Sequence, residues 1–405
     1  MSQPLAVTPE SVQIITRALD YWLAVVQALD GFPNQTFLAE QVNILRAVKL
    51  GMGAEATRGQ ALQLALATFP LVGNSGRWAD WLPLFEAIYG RFCTIDREQY
   101  GRFLGRLGQL YRLDNRVDEA LHVHQTAVAV IAPLPPGSPI ACEIAFQLAE
   151  DYRRLAQFEL AQQHALAAWH SANAARQNGA WHAISWRAAA ANSLGLIHEA
   201  LLQLEAAADW FSKAIQLWQN LNRPVELGRA LSNLGNVLRQ QEKAEEALLA
   251  FHQALNQLDK TTLWLEKMIV QYNTAVLHFS QAQYDQAERL LRDLHLEMGR
   301  QPDAHPSLYA HTCHSLGNTI LKHGRLAEAE PFLRQSLPLW RTLGDDLNLG
   351  NSLATLAELL GAQHRLDEAR ALYREALALL ANQRATPRGK NLYQEFLAAF
   401  AALNC

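Results

Sequence analysis

Cysteine is scarce. The 405 residues contain four, Cys93, Cys142, Cys313 and Cys405, with no CxxC pair among them. That excludes a disulfide framework and a zinc knuckle and fits a reducing, cytoplasmic compartment. Basic excess is also missing: 35 Lys and Arg stand against 39 Asp and Glu, for a net charge of -4, so a nucleic-acid partner is not expected. No run of about 18 apolar residues exists, which argues against a membrane span. The opening MSQPLAVTPE has neither a basic nor an apolar stretch and does not read as a signal peptide. Val, Ile and Thr are sparse, and no stretch alternates apolar and polar residues for long, so strands are disfavoured. What remains is a chain that is 50% hydrophobic and whose apolar residues are dominated by Ala and Leu, a composition that favours helices.

A repeat emerges when small residues are aligned. Seven pairs recur with a spacing of twelve: Gly108/Ala120, Ala149/Ala161, Gly195/Ala207, Gly235/Ala247, Ala275/Ala287, Gly317/Ala329 and Ala357/Ala369. Leu precedes the first member in six of them, and Thr274 stands there in the fifth. Antiparallel helices joined by a short turn approach closely only where side chains are short. Turn-tolerant residues such as Asp114-Asn115, His323-Gly324 and Gln363-His364 lie between the small ones. Acidic residues such as Asp118, Glu119, Glu245 and Glu246 then open the second helix, where they suit the positive end of its dipole. Four positions after the second small residue comes a large apolar one: Phe211, Phe251, Leu291, Leu333 or Tyr373. Repeat two has Ala165 instead, and repeat six carries Pro331 and Pro338 within its second helix, where Pro338 should kink it.

The segments LSNLGNVLRQQEKAEEALLAFHQAL (231–255) and HSLGNTILKHGRLAEAEPFLRQSL (314–337) resemble the tetratricopeptide repeat family. The resemblance covers about three quarters of the chain. It implies an all-α fold, a right-handed α-α superhelix. Repeats start near residues 101, 142, 188, 228, 268, 310 and 350, a step longer than the roughly 34 residues of the common repeat. Similar long repeats occur in LGN-type scaffolds and in bacterial sensor arms. Residues 1–100 read as a helical N-terminal module. Thr8-Pro9 starts its first helix, residues 30–33 end it, and Asn34 caps the next. A degenerate repeat is expected near 54–92, with one helix to about Thr68 and a loop at 73–76. Residues 385–405 should form a capping helix with Leu392, Phe396 and Phe400 on one stripe.

The family resemblance also implies where a partner sits, because the first helix of each repeat lines the groove. Among the positions it picks out are Arg112, Phe146, Arg153, Asn192, Arg229, Asn236, Arg239, Tyr272, Asn273, His311, His314 and Asn318. Asn236 and Asn273 match the two Asn positions of the clamp by which some relatives hold a C-terminal carboxylate. Ser232, His311 and Ser315 stand where that clamp has basic residues, so the amide contacts are carried over and the clamp is not. An amide offers both a donor and an acceptor to an extended backbone. The plainer alternative is that these Asn bond neighbouring helices. Tyr272, Phe279 and Phe146 are candidate apolar anchors.

No GxSxG, Walker-type loop or HExxH occurs, and no catalytic residue is nominated. His311 and His314 could share a metal-ligand face, but Cys313 between them should point into the core and no carboxylate is placed beside them. No cofactor or metal is expected. Residues 1–100 show no convincing helix-turn-helix. Three readings follow: a scaffold holding a protein or peptide, a bacterial peptide- or ligand-responsive regulator that changes its superhelical pitch, and, last, a metal hydrolase.

Overall fold

The structure is a computed structural model that describes residues 8–29, 35–75, 78–89, 96–135, 137–177, 183–261, 264–300, 305–384 and 386–403. The expected terminator at 30–33, the cap at Asn34, Trp181, Cys93 and Cys405 lie outside them. Helices make up almost all of what is described, and no strand occurs among those residues. The chain divides into two compact units, residues 1–187 and 188–405.

The first unit begins with α1 (Pro9–Gln27), whose N-cap Thr8 accepts a hydrogen bond from the Ser11 amide at 3.2 Å, with Pro9 in the first turn. Then come α2 (Gln35–Gly53), α3 (Arg58–Ser75) and the short α4 (Leu82–Ile88). Helix α3 does not stop at Thr68. It runs through Pro70 to Ser75, with the Thr68 hydroxyl bonded to the Leu64 carbonyl at 2.7 Å. Two hairpins follow, α5 (Arg97–Leu113) with α6 (Val117–Ile131) and α7 (Pro139–Arg154) with α8 (Phe158–Gln177).

The second unit opens within α9 (Ala183–Ala200), which pairs with α10 (Leu204–Asn220). Its further hairpins are α11 (Pro224–Gln240) with α12 (Ala244–Leu258), α13 (Trp264–Ser280) with α14 (Tyr284–Met298), α15 (Pro306–Lys322) with α16 (Leu326–Leu343), and α17 (Asp346–Ala362) with α18 (Leu366–Ala381). The last helix, α19 (Pro387–Ala402), lies against α17 and α18. Helix α16 is continuous through Pro331 and Pro338.

The twelve-residue spacing has a direct physical cause. Both small residues of every pair that ends in two alanines are fully buried. Where the first is Gly, it makes room for the large residue of the second helix. A Cβ on Gly235 would stand 2.5 Å from the Phe251 ring, one on Gly195 2.6 Å from Phe211, and one on Gly317 2.7 Å from Leu333. Gly108 makes the same room for His124, a position filled by apolar residues elsewhere.

The seven intra-repeat turns are built alike. Each places one residue in the left-handed region: Asn115, Ala156, Leu202, Glu242, Ala282, Gly324 and His364. In each, the next amide bonds back across the turn, as from Arg116 to the Tyr111 carbonyl at 2.8 Å and from Lys243 to Leu238 at 2.9 Å. This is the Schellman closure of a helix C-terminus. Asn, His or Gly tolerates that backbone most readily, yet four of the seven are other residues.

Successive first helices pack on one another: α5 on α7, α11 on α13, α13 on α15, α15 on α17 and α17 on α19. No pair of successive second helices packs comparably among the described residues. Instead, long ion pairs span that side. Glu288 of α14 takes Arg292 and Arg325, and Arg292 reaches Glu328. One repeat on, Glu330 takes Arg334 at 2.7 Å and Arg365 at 2.9 Å, and Arg365 holds Glu368 at 2.7 Å. The arginines hold the Glu288 and Glu330 carboxyls below their ordinary range against the opposing effect of burial. The first helices therefore form the inner wall within each run of hairpins.

Candidate functional site

The expected wall residues fall into both units. Three belong to the first. Arg112 of α5 donates to Asp151 at 2.7 Å, to the Gln147 carbonyl at 3.2 Å and to the Gln147 side chain. Asp151 also binds His124, whose other nitrogen meets the Gly105 carbonyl at 3.2 Å. His124 and Asp151 are fully buried, and the Arg112 side chain is only 12% exposed. Arg112 thus closes a polar cluster inside the first unit. The bonds of this cluster join residues 19 to 39 positions apart in the chain, so no local spacing advertises it. Phe146 lies tilted against Trp186, ring centroids 5.7 Å apart, and Arg153 pairs with Glu150 at 2.8 Å on its own helix.

The remaining nine lie in the second unit, where polar bonds step from one first helix to the next. Asn233 of α11 donates to Asn192 of α9 at 3.2 Å, and Gln240 to Glu199 at 2.7 Å. Asn273 of α13 donates to Ser232 of α11 at 3.0 Å. The Tyr272 hydroxyl meets Ser315 of α15 at 2.9 Å. His314 of α15 meets Ser352 of α17 through Nδ1 at 3.0 Å and accepts from Asn351 through Nε2 at 3.3 Å. So the Asn273 amide is engaged in holding two helices together. Asn236 of α11 makes no side-chain hydrogen bond to another described residue. Arg229 of α11 pairs with Glu266 of α13.

Part of this wall closes round a cavity of about 190 Å³, lined by residues of α13, α14, α15, α16, α17 and α19. It gathers four of the expected residues: Tyr272, His311, His314 and Asn318. Phe279 supplies an apolar side, as expected, and Asn351 and Ser352 stand on the far wall. Two contributors were not legible in the sequence. Trp340 comes from the second helix of its repeat, where the rule of wall positions does not look. Arg388 comes from α19, outside every repeat. The N-cap Thr386, bonded to the Gly389 amide at 3.1 Å, and Pro387 fix the first turn that carries Arg388.

Three polar atoms along this stretch are buried without a partner among the described residues: the Asn318 Oδ1, the Trp340 Nε1 and the Arg239 Nε. Buried polar groups are ordinarily satisfied, and leaving one unmade costs about 1–3 kcal/mol. Trp340 is 1% exposed and His311 stands edge-on to it, centroids 4.6 Å apart. Both imidazoles keep some surface yet are hemmed in by protein. Burial first, then the positive charge of Arg388, pushes His311 down to about 4, and the Asp345 carboxylate opposes that fall. Burial, then His311 and Arg388, pushes His314 down to about 3. Both are neutral near pH 7, which agrees with His314 accepting at Nε2. Burial raises the Tyr272 phenol and lowers the Arg239 guanidinium from their ordinary values.

Among the described residues no group of three His, Cys, Asp or Glu side chains could hold a metal ion. Cys313 is buried in the core, where burial pushes its thiol up to about 12. No helix among the described residues is long and apolar enough to cross a membrane.

Stacked helical hairpins with small residues at the crossings define a helical-repeat protein. Residues 186–260 and 309–382 match the tetratricopeptide repeat family model, so these two stretches are built of tetratricopeptide repeats. No curated protein sequence matches it. Among solved structures it is similar to the apo form of the quorum sensor NprR from B. thuringiensis, at 15% identity over 91% of this chain and 99% of that one, with a TM-score of 0.59. It is similar to a Rap protein complexed with competence and sporulation factor, at 12% identity over 97% and 99%, TM-score 0.55. It is also similar to NprR in complex with its cognate peptide NprX, at 14% identity over 80% and 81%, TM-score 0.50. At such identities the likeness concerns the fold.

Proposed function

We propose that the protein binds a peptide, or an extended segment of a partner protein, along the wall formed by α11, α13, α15 and α17, and that it acts by binding and not by catalysis. The observation that carries this reading is the set of unpartnered buried polar atoms beside apolar side chains on one wall. A peptide backbone brings donors and acceptors in alternation and could satisfy the Asn318 carbonyl and the free amide of Asn236 together. Val276 and Phe279 would take its apolar side chains. Two of the similar structures hold a factor or a cognate peptide, which is in keeping with this reading.

The test is affinity selection of random heptapeptides on the purified protein, followed by titration of the selected peptides. Asn236→Ala and Asn318→Ala should each weaken binding about tenfold, the worth of roughly 1.4 kcal/mol, with little change in melting temperature. Selected peptides that bind both variants as tightly as the parent would sink the reading.

A regulatory reading has its own support in the wall. The inter-helix bonds Asn273–Ser232, Asn233–Asn192 and His314–Ser352 are single polar contacts, and a bound chain could re-pair them and so change the pitch of the repeats in residues 188–403. Small-angle scattering with and without a selected peptide would show compaction. A scaffold of fixed pitch would show none.

A further inference from the structure

The cavity between α13, α15, α17 and α19 carries a charge pattern that narrows what enters it. None of the residues lining it is acidic, and Arg388 is the lining residue that carries a full positive charge. Its guanidinium makes one long hydrogen bond, 3.4 Å to the Asn348 Oδ1, and no ion pair with a described carboxylate. Arg325 and Arg365, by contrast, each hold two glutamates. Asp345 is the acid whose charge acts on His311. Its carboxylate is occupied in capping α17, accepting from the Asn348 amide at 3.0 Å and from the Asn348 side chain at 2.8 Å. Arg239, a second cation, acts on Tyr272 as Arg388 does, and the acid that acts on it is Glu199. The two histidines are neutral, so they neither compete with Arg388 for an anion nor supply one.

The unmet hydrogen-bonding groups specify the rest. Among the described residues the Trp340 indole, 1% exposed, has a donor without an acceptor, and Asn318 has an acceptor without a donor. An occupant should therefore bring a negative charge, an acceptor and an N–H. The size is restrictive as well. About 190 Å³ is below the range of roughly 300–1,000 Å³ typical of pockets for whole small molecules, and it suits one residue of a longer chain. A residue bearing a carboxylate next to a backbone amide meets all of these conditions. Guanidinium and carboxylate form strong charge-assisted pairs.

We propose that this cavity is the subsite for a carboxylate-bearing residue of the bound peptide, with Arg388 of α19 as its ion-pairing group. The proposal rests on the peptide-binding reading above. The carboxylate is either the free C-terminus of the peptide or an Asp or Glu side chain, and the experiment separates the two.

Two pools of N-acetylated random heptapeptides, identical except for a free or an amidated C-terminus, are passed over the full chain, and retained peptides are read by mass spectrometry. Retention of the free-acid pool at least tenfold above the amide pool identifies the C-terminus. Equal retention with Asp or Glu enriched at one position in both pools identifies a side chain. Either preference should vanish in Arg388→Gln and survive in part in Arg388→Lys, with melting temperatures of both variants near the parent's because Arg388 is exposed. Retained peptides with no carboxylate preference, or a preference unchanged in Arg388→Gln, overturn the subsite and leave peptide binding standing. Retention of no peptide from either pool overturns both.

Discussion

Gly235 shows how one atom sets the distance between two helices. A Cβ there would meet the Phe251 ring at 2.5 Å, so Gly235→Ala should cost about 1–3 kcal/mol, the usual range for overpacking. Denaturant unfolding checks this. Gly235→Ala with Phe251→Leu should recover most of the loss, because repeat five already pairs Ala275 with Leu291 at the matching positions. If the double variant is no more stable than the single one, the ring is not what demands the glycine. His314 illustrates the electrostatic side. Its folded value of about 3 lies below the ordinary 6.5, so between those values the unfolded chain binds the extra proton. Stability is then full above about pH 6.5 and falls as the pH drops toward 3, by at most about 1.4 kcal/mol per pH unit for one proton. His311 adds to the same trend down to about 4. Replacing His314 with Gln, which keeps a donor and an acceptor, should flatten the acid limb of a melting-temperature profile. An unchanged limb would place the acid sensitivity elsewhere, with the paired carboxyls of Glu288 and Glu330 the next candidates.

Helix termini are where the sequence is least economical. The turn after α9 puts Leu202, 48% exposed, at a φ of 59°, and that after α11 puts Glu242 at 63°. A branched or long side chain in the left-handed region costs roughly 1–2 kcal/mol, part of which glycine gives back through the freedom of the unfolded chain. Leu202→Gly and Glu242→Gly should therefore each stabilise the protein by about 0.5–1 kcal/mol, read as a rise in the unfolding midpoint. A fall in midpoint for both would mean that these side chains contribute packing which the backbone argument ignores. The turns at Asp114-Asn115, His323-Gly324 and Gln363-His364 were readable because Asn, Gly and His advertise this backbone. Those at Ala156, Leu202, Glu242 and Ala282 carry no such residue and could be placed only by the repeat period.

For the molecule as a whole, stability in a repeat array is carried by interfaces between neighbours. The last of these is the cover that α19 lays over the preceding pair, where Phe400 meets Tyr373 with centroids 6.1 Å apart and Phe396 is 9% exposed. A chain ending at residue 384 should have a lower midpoint, with amide exchange rising first in α17 and α18 and least in α1 to α4. Uniform loss of protection would instead show a single cooperative unit. The same truncation removes Arg388 and should abolish any preference for carboxylate ligands.

Sequence alone determined the helical class, the period and the identity of the crossing residues. A helix presents its short side chains at fixed intervals, and a twelve-residue recurrence of Gly or Ala leaves few other readings. It also nominated wall residues by position, and Tyr272, His311, His314 and Asn318 do meet round one cavity. Tertiary structure decided which wall residues are already engaged. Asn273 is held by Ser232, Arg112 by Asp151 and Arg229 by Glu266, and these partners lie some 37 to 41 residues away. Trp340 and Arg388 enter the cavity from a second helix and from the cap, positions that no repeat register assigns to the wall. A contact across a stack depends on how neighbouring hairpins are set against each other, and that is a property of packed interfaces that no single repeat encodes.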